Sequence, residues 1–113
     1  MQEKEIPSDV VERLQAEKRE HEKELRDAGR EAGYEAAKEM SYPELAGLAH
    51  RAEGLDYRVN PAEVVRESRC YDNWLKENLE STAKDWDEFD EDIYLSGWLE
   101  GVIEFWAGVS QRL

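Results

Sequence analysis

Between Pro7 and Met40, apolar and long-stemmed residues recur at steps of three and four: Val11, Leu14, Lys18, His21, Leu25, Ala28, Ala32, Ala36 and Met40. That period gathers them on one side of an α-helix, so the pattern predicts a single amphipathic helix from Ser8 to Met40, capped by Ser8 or Asp9. Opposite charges four residues apart, such as Arg13 with Glu17, Lys18 with Glu22 and Lys23 with Asp27, support its solvent side. Ser41-Tyr42-Pro43-Glu44 has the form of a capping box and opens a second helix over Pro43 to Glu53, which Gly54 can stop. Asn60-Pro61-Ala62-Glu63 repeats that grammar and opens a third helix towards Leu79, with Val64, Val65, Cys70, Tyr71, Trp74, Leu75 and Leu79 on its buried side. Gly54 to Val59 reads as the loop between them, and Ser81 to Asp85 as the next turn. A fourth helix, from about Asp90 to Gln111, carries Leu95, Trp98, Leu99, Val102, Ile103, Trp106 and Val109 as core, and Asp85, Asp87 or Asp90 can cap it.

Strand patterning is thin, because the best alternating run, Asp56 to Val59, is short and ends at Asn60-Pro61. The expected fold is therefore all-α: a compact bundle of about four helices, with a long N-terminal helix and an apolar C-terminal helix, in a single domain over residues 1–113. A helix from Ser8 to Met40 would run about 50 Å, well past the ~30 Å that suits a small domain. Between Asp9 and Glu24 its apolar content is only Val10, Val11, Leu14 and Ala16. Residues 1–24 are thus expected to protrude as a solvated arm or to form one strand of an intermolecular coiled coil.

Two helices carry small residues at four-residue intervals: Gly29, Gly33 and Ala37 on the first, Gly97 and Gly101 on the last. Glycine within a helix costs about 1 kcal/mol relative to alanine, so its repetition implies that close backbone approach compensates. The two grooves are expected to face each other, or their own copies across a dimer axis; the plainer alternative is that they make room for Tyr34, Trp98 or Trp106.

Charge adds direction to this picture. The formal net charge is −13, distributed as −2 over residues 1–26, −3 over 27–69 and −8 over 70–113, and the last of these segments also holds all four tryptophans. Bare nucleic acid and anionic membrane surfaces would be repelled at long range. The densest stretch, Asp85, Trp86, Asp87, Glu88, Phe89, Asp90, Glu91 and Asp92, has three readings. It is a solvated helix start favoured by the helix dipole, a surface for a basic partner, or a cation site. An EF-hand register fails, since Phe89 takes the fifth place counted from Asp85 and Asp90 or Glu91 stands where glycine is needed.

Other chemistry is sparse. His21 lies at helical spacing from Glu17 and Glu24, and His50 from Glu53, which is ligand-like for a carboxylate metal site. A di-iron Glu-x-x-His pair is not formed, because Lys18 precedes His21 by three and Gly47 precedes His50 by three. Cys70 has Arg66 and Arg69 close in sequence, which would lower its pKa, but its helical position favours a buried structural thiol. One cysteine and an N-terminus with neither basic nor apolar signal regions imply a cytoplasmic protein. The apolar stretch from Ile93 to Val109 holds Glu100 and Glu104 and is too short to span a bilayer. Phosphate loops, nucleophile elbows and Cys-x-x-Cys pairs do not occur, so no enzyme activity and no cofactor are expected.

The sequence thus points to a small acidic protein-binding module. Its partner would be another protein with a basic surface, and one form of the reading is an inhibitor that mimics nucleic acid on a nucleic-acid-handling protein, without binding nucleic acid itself. Alternatives are a structural homodimer or assembly subunit built on the first helix, and a carboxylate and histidine metal binder.

Overall fold

The computed structural model describes residues 5–54, 60–82 and 85–113. Five α-helices appear among them: α1 (Ser8–Ala37), α2 (Tyr42–Glu53), α3 (Pro61–Arg66), α4 (Lys76–Thr82) and α5 (Glu88–Val109). No strand occurs among the described residues. Most of the expected loop Gly54 to Val59, and part of the expected turn Ser81 to Asp85, lie outside them.

α1 begins one residue earlier than a Ser8 or Asp9 cap implies. Pro7 holds the cap position without a side-chain bond, and its carbonyl accepts from the N–H groups of Val10 and Val11 at 3.1 and 3.2 Å. α2 and α3 start as their caps dictate, with Ser41 Oγ accepting from the Glu44 N–H at 3.4 Å and Asn60 Oδ1 from the Ala62 N–H at 3.1 Å. The expected continuous helix from Asn60 to Leu79 is broken instead, which raises the count from about four helices to five. Ser68 explains the break: its buried hydroxyl donates to the Val65 carbonyl at 2.5 Å and accepts the Tyr71 N–H at 3.4 Å, so a side chain takes up groups that would otherwise continue the helix. The chain resumes through a wide turn over Tyr71–Leu75, closed by the Lys76 N–H on the Tyr71 carbonyl, before α4.

α1 and α5 run parallel. The level of contact rises together along both, from His21 beside Asp90 at one end to Arg30 on Glu104, 2.7 Å apart, towards the other. Between these points the two backbones touch. A Cβ on Gly29 would fall on the Tyr94 carbonyl oxygen, one on Gly33 on that of Trp98, one on Gly97 on that of Arg26 and one on Gly101 on that of Arg30. Ala37 continues the row, buried on the same face of α1. Tyr34 and Phe105 close the far end edge to face, 5.4 Å between ring centres. Because Arg30 holds the Glu104 carboxyl below its usual pKa, chiefly through the hydrogen bond, this clasp is complete above the carboxylate range and is lost as pH falls through it.

A parallel pair cannot be joined by a short hairpin, and the described helices of the connection, α2 to α4, pack along the outside. They do so on the other side of α5, which ends up between α1 and the α2–α4 layer. Leu95, Trp98, Leu99 and Val102 are almost wholly buried there, against Leu45, Leu48, Ala62, Val64, Val65, Leu75 and Leu79. Burial of each such large side chain stabilises the fold by roughly 1.5–3 kcal/mol. Ile103, Trp106 and Val109 are only half-buried, and Trp74, placed on the buried side from the sequence, sits at the edge with its ring 6.2 Å from that of Trp98. α5 also turns Glu100 and Glu104 to solvent.

Below its contact with α5, α1 stands alone. From Ser8 to Glu20 every residue is exposed except the half-buried Val10, and the first buried residue is Leu25. The projecting turns give the molecule extents of 64 × 29 × 23 Å and a radius of gyration of 17.2 Å, against about 13 Å for a compact domain of this length.

The glycine contact sets opposite expectations for two substitutions. Gly101→Leu should force the α1 and α5 backbones apart and cost about 3 kcal/mol or more. Gly47→Ala, in α2 where an added Cβ meets nothing, should gain about 0.5–1 kcal/mol from helix propensity alone. Thermal denaturation of both variants checks the pair.

Candidate partner-binding surface

The acidic run opens α5, and the fold uses its members in different ways. Asp87 caps the helix, its Oδ1 accepting the Asp90 N–H at 2.8 Å. Asp90 lies 3.1 Å from His21 Nε2 and ties the start of α5 to α1. Glu91 and Asp92 turn inward to α3: Arg66 donates to Glu91 at 3.2 Å and to Asp92 at 2.6 Å, while also holding Glu63 at 2.9 Å. Tyr71 adds its hydroxyl to Glu91 at 3.4 Å, and Asn60 its amide to Asp92 at 3.1 Å. Partial burial, the largest single influence on Arg66, works against its charge. The bonds to Asp92 and Glu91 together override that and raise its pKa above the ordinary value. Burial and the Glu91 charge likewise raise the pKa of the Tyr71 hydroxyl, which stays protonated as a donor.

The remaining members face outward. Asp85 and Glu88 are exposed and form no ion pair among the described residues. Phe89, between Glu88 and Asp90, is 60% exposed in the first turn of α5. Trp86 is not an outward anchor: half-buried, it packs on Tyr94 with ring centres 4.9 Å apart. The run therefore separates into an inner group that assembles the fold and an outer group of Asp85, Glu88 and Phe89.

A second acidic surface went unmarked in the sequence. Glu20, Glu24, Asp27 and Glu31 are all exposed, and their spacing sets them in a row on the side of α1 opposite Leu25, Gly29 and Gly33. The signal was the three-and-four spacing itself, hidden because six bases of α1 offset six of its nine acids. Of those bases, Lys18 pairs with Glu22 at 3.7 Å and Arg30 with Glu104 at 2.7 Å, and Lys38, just past the helix, holds Glu35 at 2.9 Å.

The histidines and the cysteine each meet a neighbour within the fold, His21 with Asp90, His50 with Trp106 and Cys70 with Glu44. Among the described residues no three His, Cys, Asp or Glu side chains converge as metal ligands. His50 stands edge-on to Trp106, 6.0 Å between centres. Cys70 is 3% exposed beneath an open groove between α2 and residues 67–70. Its thiol donates to Glu44 at 3.8 Å, so Glu44 serves Cys70 and not the reciprocal half of a capping box at Ser41. Burial first, then the Glu44 charge, pushes the thiol pKa up, the reverse of what neighbouring arginines in sequence implied. Among the described residues no helix is long and apolar enough to cross a membrane.

This division yields two expectations. Arg66→Ala should cost on the order of 2 kcal/mol by stranding Glu91 and Asp92. Asp87→Ala should cost about 1 kcal/mol as a lost cap, and Glu88→Gln almost nothing; urea denaturation ranks the three. The Cys70 thiol should react with a disulfide reagent at pH 8 at least about tenfold more slowly in the folded protein than in the unfolded chain, followed by absorbance.

No family model, no curated protein and no solved structure matches the chain, so a functional conclusion must come from these side chains.

Proposed function

We propose that the protein is a non-enzymatic, cytoplasmic binding module that docks on a basic surface of another protein through the outer half of its acidic run. The observation that carries this reading is Phe89, a large aromatic 60% exposed next to Glu88, which like Asp85 forms no ion pair among the described residues. An apolar ring has no folding reason to stand in water at the mouth of a helix, whereas in a complex it would be a buried anchor ringed by charge. Asp85 and Glu88 would pair with lysine or arginine heads while Phe89 lies along their stems, and the surrounding charge of −13 would speed encounter with a basic partner.

Mimicry of nucleic acid is one form of this proposal, and the row on α1 bears on it. Glu20, Glu24, Asp27 and Glu31 offer one carboxylate per about 5–6 Å of helix, against one phosphate per ~3.4 Å along a nucleic-acid strand. That density suits a compact basic patch better than a long duplex groove.

Capture from nuclease-treated host lysate tests the proposal, comparing the wild-type chain with an Asp85→Asn, Glu88→Gln, Phe89→Ala variant that spares the cap and the Arg66 network. A basic protein retained at low salt, weakened at moderate salt and lost by at least about tenfold with the variant is the expected result. Equal retention by both chains would reduce the run to a solvated helix start.

A further inference from the structure

We propose that the first three turns of α1 form a self-association surface, on which a second copy of the chain packs the same turns antiparallel about a two-fold axis near Leu14. The stripe is visible in the fold: Val11 is 38% and Leu14 51% exposed, with the half-buried Val10 beside them. They lie on the side of α1 that Leu25 and Gly29 bury against the rest of the bundle, where α5 starts too late in the chain to cover them. The helical face thus continues past its intramolecular partner for about 20 Å.

Charge identifies the occupant. Over Ser8 to Arg19 the acids Asp9, Glu12 and Glu17 are balanced by Arg13, Lys18 and Arg19, whereas the whole chain carries −13. This is a segment where two strongly acidic molecules can meet without like-charge repulsion. Charge also sets the orientation. Side by side, parallel arms would bring the two acidic bundles level with one another and stack Lys18 on its own counterpart. An antiparallel pair centred on Leu14 leaves the two His21 positions about 21 Å apart along the axis, well beyond the ~8 Å screening length at physiological salt. It also lays the Lys18 stem across Val10 and Val11 of the second copy. Two arms of this length bury less than the ~1,200 Å² of a standard interface, so the dimer is weak, with a dissociation constant in the range of about 10–100 μM. The surface is distinct from Asp85, Glu88 and Phe89, and neither proposal rests on the other.

Sedimentation equilibrium of the full chain, from about 10 μM to 1 mM, tests association, and a spin label at Glu31→Cys tests orientation, Cys70 being buried. The expected result is a monomer–dimer equilibrium that Leu14→Glu weakens at least tenfold while the circular dichroism of the bundle is unchanged, with a label separation of about 50 Å for the antiparallel pair. A monomer at every concentration would overturn the proposal, as would a dimer indifferent to Leu14→Glu. A label separation below about 20 Å would overturn the antiparallel arrangement in favour of a parallel coiled coil. A chain that stays monomeric alone but loses a captured partner on Leu14→Glu would assign the stripe to a different protein, and the self-association proposal would fail.

Discussion

Backbone contact between α1 and α5 is the constraint from which the remaining architecture follows. Four glycines remove the side chains that normally separate packed helices, and each opposes a carbonyl oxygen of the other helix. Contact at that range fixes register as well as distance, because only one alignment sets every glycine of both helices against bare backbone. The alignment is parallel, which rules out a short hairpin between the two helices, and α2 to α4 become the layer that buries the far side of α5. α5 is consequently covered on two sides, the glycine side by α1 and the side of Leu95, Trp98, Leu99 and Val102 by α2 to α4, and the stripe of Phe89, Glu100 and Glu104 stays wet.

The start of α5 is the second junction, and it shows how one stretch of sequence serves two ends. Three elements converge there, α1 through His21, α3 through Arg66 and the wide turn through Tyr71, and each is fastened to a different carboxylate of the same run. Such a network makes neutral replacement of the entire run a poor probe of binding, since it would remove a cap and an ion-pair network together with any docking contact. Asp85, Glu88 and Phe89 can be changed while the fold keeps its fastenings. The same separation explains why so acidic a segment is compatible with a helix start: the dipole favours the negative charge, one base within the protein neutralises part of it, and water takes the rest.

Much of this was legible along the chain. Helical periodicity, the proline positions and the caps at Ser41, Asn60 and Asp87 are local properties, set by hydrogen bonds within a turn of the residue concerned. The break in the third helix was not, although its cause is one residue: helical spacing places Ser68 on the same side as Val64 and Leu75, and the linear pattern does not show that its buried hydroxyl turns back onto the Val65 carbonyl and takes the Tyr71 N–H. Cys70 shows the same limit. Its sequence neighbours are arginines, its spatial neighbour is Glu44, and those partners shift the thiol in opposite directions.

The sequence by itself determined the helical class, the small-residue faces of the first and last helices, and the concentration of acid beside the aromatic residues, because composition and period act over a few residues. Tertiary structure alone decided that the two glycine faces meet each other in parallel, and that Glu91 and Asp92 turn in to Arg66 while Glu88 and Phe89 turn out. It also decided that α1 outruns its cover below His21. Each of those outcomes depends on which distant backbone arrives alongside, and a linear pattern carries periodicity without carrying the identity of the neighbour.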